Sequence, residues 1–263
     1  MSPLGVAALG AVAGLTIFLG LPLGMLRADA VRLKTALNAV AVGILLFLLW
    51  DVLSQAWEPV DAALSSHQLW PAILQGLLMA GCIGIGLLGL VYVDRRSRRS
   101  IEAASAEGTA DPAAASRRLA MTIAVGIGLH NFAEGLAIGT AAATGQLAFA
   151  VLLIIGFGLH NATEGFGIVA PLTGTRPSWS YLVLLGVIGG GPTFVGTVVG
   201  QFFASAVLSI AFLGLAAGSI LYVIIELLAV ARRANLKVLV TWCIFAGLIA
   251  GFATDAVVAA AGA

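Results

Sequence analysis

Two copies of one short sequence carry the residue types from which proteins build metal sites. The copies are GLHNFAEG at residues 128–135 and GLHNATEG at residues 158–165, each inside a long apolar run. Residues three and four apart share one face of an α-helix, so each copy would present its polar residues as a single stripe. The polar residues of the two stripes are His130, Asn131, Glu134, His160, Asn161 and Glu164.

The chemistry of these stripes indicates a site for a divalent transition metal. Imidazole nitrogen, carboxylate oxygen and amide oxygen together suit Zn²⁺, Fe²⁺ and Mn²⁺. Two His and two Glu would supply four ligands from two facing helices, and the two Asn would add neutral oxygens. The alternative is a hydrogen-bonded polar network that holds the two helices together. Two copies of the same motif favour the metal site.

The composition places these stripes in a membrane. Hydrophobic residues make up 60% of the 263 residues, charged residues 10%, and the mean hydropathy is +1.08. A soluble domain carries roughly a quarter charged residues, and spanning strands would alternate apolar and polar positions. We therefore predict an all-α integral membrane protein. Its eight predicted spans are residues 4–26, 35–57, 71–93, 119–143, 147–171, 178–203, 205–231 and 237–260, the first of them a span and not a signal peptide.

The basic residues predict the orientation of these spans. All 13 Lys and Arg residues lie after an odd-numbered span, twelve of them in the connections and Lys237 at the first residue of the eighth span. Cytoplasmic connections carry an excess of Lys and Arg, so we expect both termini on the outer side of the cell (plasma or inner) membrane. The chain would then be one transmembrane domain, residues 1–263, with a mobile cytoplasmic loop at about residues 94–118, a segment rich in Ala, Ser, Arg and Glu.

Charge balance limits how much metal the stripes can hold. None of the predicted spans contains Lys or Arg near its middle, so two glutamates in mid-bilayer need protons or a metal ion beside them. Two carboxylates balance one divalent ion with neutral imidazoles, whereas a second ion would leave a charge of about +2 in hydrocarbon. The sequence therefore predicts one tightly held metal and a weak second one.

The outer spans repeat. Residues 10–24 align with 186–200, residues 43–51 with 218–226, and residues 82–94 with 243–255. Spans one to three thus correspond to spans six to eight, in a 3+2+3 arrangement whose second repeat is inverted. Inverted repeats are typical of secondary transporters, with the substrate near the midplane. Cys82 and Cys243 occupy equivalent positions, which favours packing over metal binding.

At these residues the chain resembles the ZIP family of zinc- and iron-regulated transporters, of bacterial type, over its whole length. The resemblance implies uptake of divalent transition metals towards the cytoplasm, through a metal site on helices four and five that uses the six stripe residues. It also implies movement of one helix bundle against another, and frequent homodimers. Asp51 and Glu226 resemble acidic positions near the ends of the second and seventh spans, where they would receive and release the ion.

The chain departs from the family pattern at several positions. Many members carry proline within the motif, where this chain has Ala133 and Thr163. Many also carry a glutamate before the proline of span six; here Gly191 precedes Pro192, which removes one carboxylate and agrees with the charge balance. The loop after span three holds no histidine. In the outer loop, the residues that would attract cations or simply be solvated are Glu58, Asp61 and His67.

The sequence thus predicts a secondary transporter or channel-like carrier for divalent metal. Zinc is favoured, with iron, manganese, cobalt and cadmium as further substrates, and the metal is the transported substrate rather than a cofactor. The alternative is an enzyme, a metal-dependent intramembrane hydrolase in which bound zinc activates water. The inverted repeat favours the transporter. The expected partners are metal ions, membrane lipid and a second copy of the chain, and not nucleic acid.

Overall fold

The computed structural model describes residues 2–26, 30–106, 113–143, 145, 147–172, 176–202 and 205–260. All of the regular structure in these ranges is helical. The helices are α1 Pro3–Leu15, α2 Val31–Ser65, α3 Leu69–Ala106, α4 Ala114–Ala143, α5 Leu147–Val169, α6 Trp179–Gly200, α7 Ala206–Arg233 and α8 Lys237–Ala260. Short 3₁₀ segments extend α1 (Thr16–Leu19 and Leu21–Met25) and α5 (Ala170–Leu172).

Local sequence explains where several helices begin and end. Ser2 and Ser178 cap α1 and α6, since each side chain accepts a hydrogen bond from a backbone N–H in the first turn. Pro22 lies in the second 3₁₀ segment after α1, where its missing N–H removes a helical hydrogen bond. Asn235 ends α7 in the left-handed conformation, with φ of 53°. His67 does the same between α2 and α3.

The prediction of eight spanning helices is confirmed for the described part of the chain, where eight helical segments are long and apolar enough to cross a membrane. The break between the sixth and seventh spans, which few polar residues mark, is present between Gly200 and Ala206. The first predicted span is α1 together with its two 3₁₀ segments. α2 and α3 are longer than predicted, with 35 and 38 residues.

The segment from Asp94 to Arg118 differs from the expected loop. α3 continues through it to Ala106, and α4 begins at Ala114, so both ends of the predicted linker are helical. The Arg118 side chain also forms an ion pair with Asp94, which ties the two ends together. Residues 107–112 lie outside the described residues. Ala-rich sequence with Arg and Glu is good helix-forming sequence, and low hydropathy does not end a helix.

The helices pack closely where glycines allow the backbones to approach. A Cβ atom added to Gly43 of α2 would overlap the backbone carbonyl of Ile244 in α8, and one added to Gly218 of α7 would overlap that of Ile83 in α3. Gly43 aligns with Gly218, and Ile244 with Ile83, in the sequence repeat. The α2–α8 and α3–α7 contacts are therefore made by residues that align in the sequence, while the 3+2+3 arrangement itself stays a prediction.

Candidate metal centre

Close packing on the outer helices positions both copies of the motif. A Cβ atom on Gly135 of α4 would overlap the carbonyl oxygen of Thr193 in α6, and one on Gly165 of α5 would approach that of Ile17, just after α1. Thr193 and Ile17 are equivalent in the sequence repeat. The last residue of each motif thus allows its helix to lie directly on the backbone of an outer helix.

The two motif asparagines strengthen these same contacts. Asn131 donates its side-chain amide to the carbonyl of Gly189 in α6 at 3.0 Å, and Asn161 donates to the carbonyl of Ala13 in α1 at 3.2 Å. Gly189 and Ala13 are again equivalent residues of the repeat. Each asparagine nitrogen therefore links its helix to an outer helix, and each Oδ1 has no hydrogen-bond partner among the described residues.

The structure brings His130, Glu134 and His160 together. Glu134 Oε1 lies 2.9 Å from His130 Nε2 and 2.5 Å from His160 Nε2. One potential ligand atom from each residue lies within 4.8 Å of the other two, and all three residues are buried. Three such donors within one coordination radius of a common point can hold a transition metal.

Glu164 completes the group from α5 but lies at its edge. Its Oε1 is 3.8 Å from His130 Nε2, too far for a hydrogen bond, and only 1% of its side chain is exposed. Both motifs predict equivalent glutamates, whereas in the structure Glu134 contacts both histidines and Glu164 contacts neither directly. The two copies of the motif therefore contribute unequally to the cluster, because only the first supplies a carboxylate close to both histidines.

Unsatisfied acceptors distinguish this cluster from a closed hydrogen-bond network. Within the described part of the chain, the buried atoms without a hydrogen-bond partner include Glu134 Oε2, both carboxylate oxygens of Glu164, and Oδ1 of Asn131 and Asn161. Buried acceptors without donors are costly, and a carboxylate is the most costly of them. A polar network that only joins helices would pair these oxygens, so their availability supports cation binding at this cluster.

The sequence of the chain matches a protein family. The sequence model of the family described as ZIP Zinc transporter matches residues 94–259, which include both copies of the motif. The chain belongs to the ZIP family. No curated protein matches it. ZIP membership and the eight apolar helices establish a multi-pass membrane protein and support transport of metal ions as its activity.

A cavity reaches one of the ZIP metal-site residues, His160. It has a volume of about 620 Å³, and its lining includes Asp51, Gln55, His160, Thr163 and Asp255. We call the end of the molecule where Asp51 and Asp255 lie the acidic end. Asp51 was predicted from the sequence to lie on the metal pathway; Asp255 in α8 was not. The alignment of Asp255 with Asp94 at the end of the third repeat segment was the available signal.

The opposite end of the ZIP chain is rich in arginine, and we call it the arginine end. Glu226, the predicted release residue, lies there within electrostatic range of Asp94, Arg98, Arg118 and Arg233. One acidic and three basic side chains therefore act on its carboxylate. The three outer-loop candidates are exposed on or after the last turns of α2 and do not line the cavity at the acidic end: Glu58, Asp61 and His67.

The position of Gly191 is informative for a ZIP protein, because many members have a glutamate there. A Cβ atom on Gly191 would have only Val187 Cγ1 within 4 Å among the described residues, at 3.9 Å. Val187 is 56% exposed. A side chain at position 191 would thus enter open space on the same face of α6 as Val187. Pro192, the next residue, contacts α4 at Gly128 instead.

Proposed function

We propose that the chain is a secondary transporter or channel-like carrier that moves divalent transition metal ions, zinc above all, into the cytoplasm. The substrate site consists of His130, Glu134 and His160, with Glu164 beside them. The observation that carries this proposal is the buried three-residue cluster, in which one carboxylate oxygen contacts both imidazoles. The nitrogen and oxygen donor set is compatible with zinc, as it is with iron and manganese.

The site holds one principal metal. Glu134 and Glu164 supply two negative charges, which balance one divalent ion when both histidines are neutral. The orientation of Gly191 agrees with this, because no third carboxylate reaches the cluster from α6. Asn131 and Asn161 keep a buried Oδ1 without a hydrogen-bond partner in the described structure, and these oxygens complete the metal shell.

The ion enters from the acidic end. Asp51 and Asp255 lie at the mouth of the cavity that reaches His160, and carboxylates there raise the local cation concentration. On the other side of the site, apolar residues close the path, since Gly167 of α5 packs on Leu227 and Ala41. The positions of the basic residues support the acidic end as the outer one. This conformation therefore presents the site to the outside.

Two groups of helices are built to move against each other. We call α1, α4, α5 and α6 the site bundle, and α2, α3, α7 and α8 the frame bundle. Within each bundle, glycines lie against neighbouring backbone, as Gly135 and Gly43 do. Between the bundles, the nearest neighbours of Gly126 and Gly167 are side chains. Side chains can repack at a sliding interface more easily than interlocked backbones, which supports alternating access.

Zinc uptake into proteoliposomes tests the proposal. Purified wild-type protein should accumulate zinc in a time- and concentration-dependent manner, and a variant with both His130→Ala and Glu164→Ala should not. The matched control replaces an exposed histidine and glutamate of α2 and its following turn, His67→Ala with Glu58→Ala, and should retain uptake. Uptake that persists in the His130 and Glu164 variant would refute the proposed site. Hydrolysis of lipid or peptide without metal flux would favour the hydrolase instead.

A further inference from the structure

A second cavity lies at the arginine end, and its lining is basic. Its volume is about 510 Å³, which is in the range of pockets that bind small ligands. The frame bundle contributes Lys34, Arg98 and Arg233 to its wall, and the site bundle contributes Arg118. The cavity thus lies between the two bundles, with cationic side chains from both.

The positive charges of this cavity are only partly balanced. Asp94 pairs with Arg118 and, through Oδ2 at 3.1 Å, with Arg98. Glu226 is the second carboxylate within electrostatic range of these arginines and of Arg233. Among these described groups, three arginines face two carboxylates, which leaves a surplus of about one positive charge at short range.

Arg118 offers a hydrogen-bond donor to the inner part of the cavity. Its side chain is only 10% exposed. Its Nε is buried and has no hydrogen-bond partner among the described residues, although its terminal nitrogen donates to Asp94. A buried guanidinium N–H without an acceptor is unfavourable, so an acceptor from outside the chain is expected there.

The chemistry of the lining selects the ligand. Arginine and lysine side chains donate hydrogen bonds and accept none, so they cannot coordinate a metal cation. Phosphate oxygens match the forked geometry of arginine, and basic pockets between transmembrane helices bind anionic lipid headgroups. We propose that this cavity binds a phosphate group, carried by an anionic lipid headgroup or by free phosphate. The bound group joins Arg118 of the site bundle to Arg98 and Arg233 of the frame bundle.

Thermal unfolding with and without each phosphate source tests the site. Protein in phosphatidylcholine nanodiscs is titrated with potassium phosphate against potassium chloride of equal ionic strength, and is compared with nanodiscs that contain phosphatidylglycerol. The cavity variant combines Arg98→Gln with Arg233→Gln and leaves the Arg118 ion pair intact. The matched control, Arg96→Gln with Arg232→Gln, removes the same charge from the same two helices at exposed positions outside the cavity wall.

A phosphate source should raise the Tm of the wild type and of the control. The cavity variant should bind it at least about tenfold more weakly, because two charge-assisted hydrogen bonds are lost. A response to phosphatidylglycerol alone identifies a lipid headgroup, and a response to potassium phosphate alone identifies free phosphate. If neither source shifts the Tm, or if both variants respond alike, the proposal is wrong. Should the cavity variant fail to fold, Lys34→Gln takes its place and should weaken binding in the same way.

The titration contains no zinc, so its result is independent of metal transport. Loss of the phosphate response leaves the metal site at Glu134 unaffected. Equally, loss of zinc uptake on substitution of the motif residues leaves the phosphate titration unaffected. The two proposals can therefore fail separately.

Discussion

Replacing Glu134 with glutamine should weaken zinc binding more than any other substitution of a single acidic residue. The change keeps the shape of the side chain and removes the charge whose oxygen lies 2.5 Å from His160 Nε2 and 2.9 Å from His130 Nε2. Breaking a buried charge pair costs roughly 3–5 kcal/mol. Since 1.4 kcal/mol is a factor of ten, the zinc Kd should rise by about 2 to 3.5 orders of magnitude.

The matched comparison is Glu164→Gln, in which the same charge is removed at a position 3.8 Å from the nearest histidine nitrogen. Loss of a group beside the ligands typically reduces metal affinity by roughly 10- to 100-fold, so Glu164→Gln should have the smaller effect. Asp61→Asn, on the exposed surface of α2, should leave the Kd unchanged. Calorimetric titration of zinc into each purified variant measures all three. Equal losses for the two glutamates, or a larger one for Glu164, would refute the assigned asymmetry.

Three further predictions follow from the same structure. Zinc at about 100 times its Kd should stabilise the wild type by about 2.7 kcal/mol, which raises the Tm by roughly 5–10 °C. A chelator should reverse this rise. A Tm unaffected by zinc would contradict the buried metal site. Gly247→Ala should lower the free energy of unfolding by roughly 1–3 kcal/mol, because its Cβ would overlap the Val40 carbonyl. The control is Gly84→Ala, whose Cβ would have nothing within 4 Å among the described residues, and it should leave the Tm unchanged in the same thermal melt. Asp51→Asn should raise the KM for zinc uptake by about 3- to 10-fold at low ionic strength and less at high salt; a shift that salt does not change would exclude electrostatic attraction at the cavity mouth.

Hydropathy predicts the number of helices well and their lengths poorly. The apolar runs of the eight spans are each long enough for a bilayer, and the structure has a helix at each of them. α2 nevertheless continues through Ser54, Gln55 and Glu58 to Ser65, because these residues are compatible with a helix even though they are unfavourable in lipid. The same reason extends α3 to Ala106. Hydropathy reports where a chain can cross a membrane, and helix ends depend on caps and turns.

The motif predicts which residues lie close together. It does not predict which glutamate contacts the histidines. Two near-identical phrases suggest two equivalent glutamates, yet Glu134 contacts both histidines and Glu164 contacts neither. This inequality depends on the offset between α4 and α5, which residue identities do not encode. The hydrogen bonds from Asn131 and Asn161 to backbone carbonyls also cannot be predicted from the sequence. Every residue type has a backbone carbonyl, so the acceptor leaves no signal in the sequence. Asp255 has no motif around it and shows its position only in the folded chain.

The equivalent glycine contacts give this chain an internal reference for mutagenesis. Gly43 against Ile244 and Gly218 against Ile83 are the same contact built twice within one polypeptide. A substitution at one position can therefore be compared with its counterpart in the same molecule, lipid and assay, without a second protein as a standard. Any difference between the two effects measures directly how unequal the two contacts are in free energy.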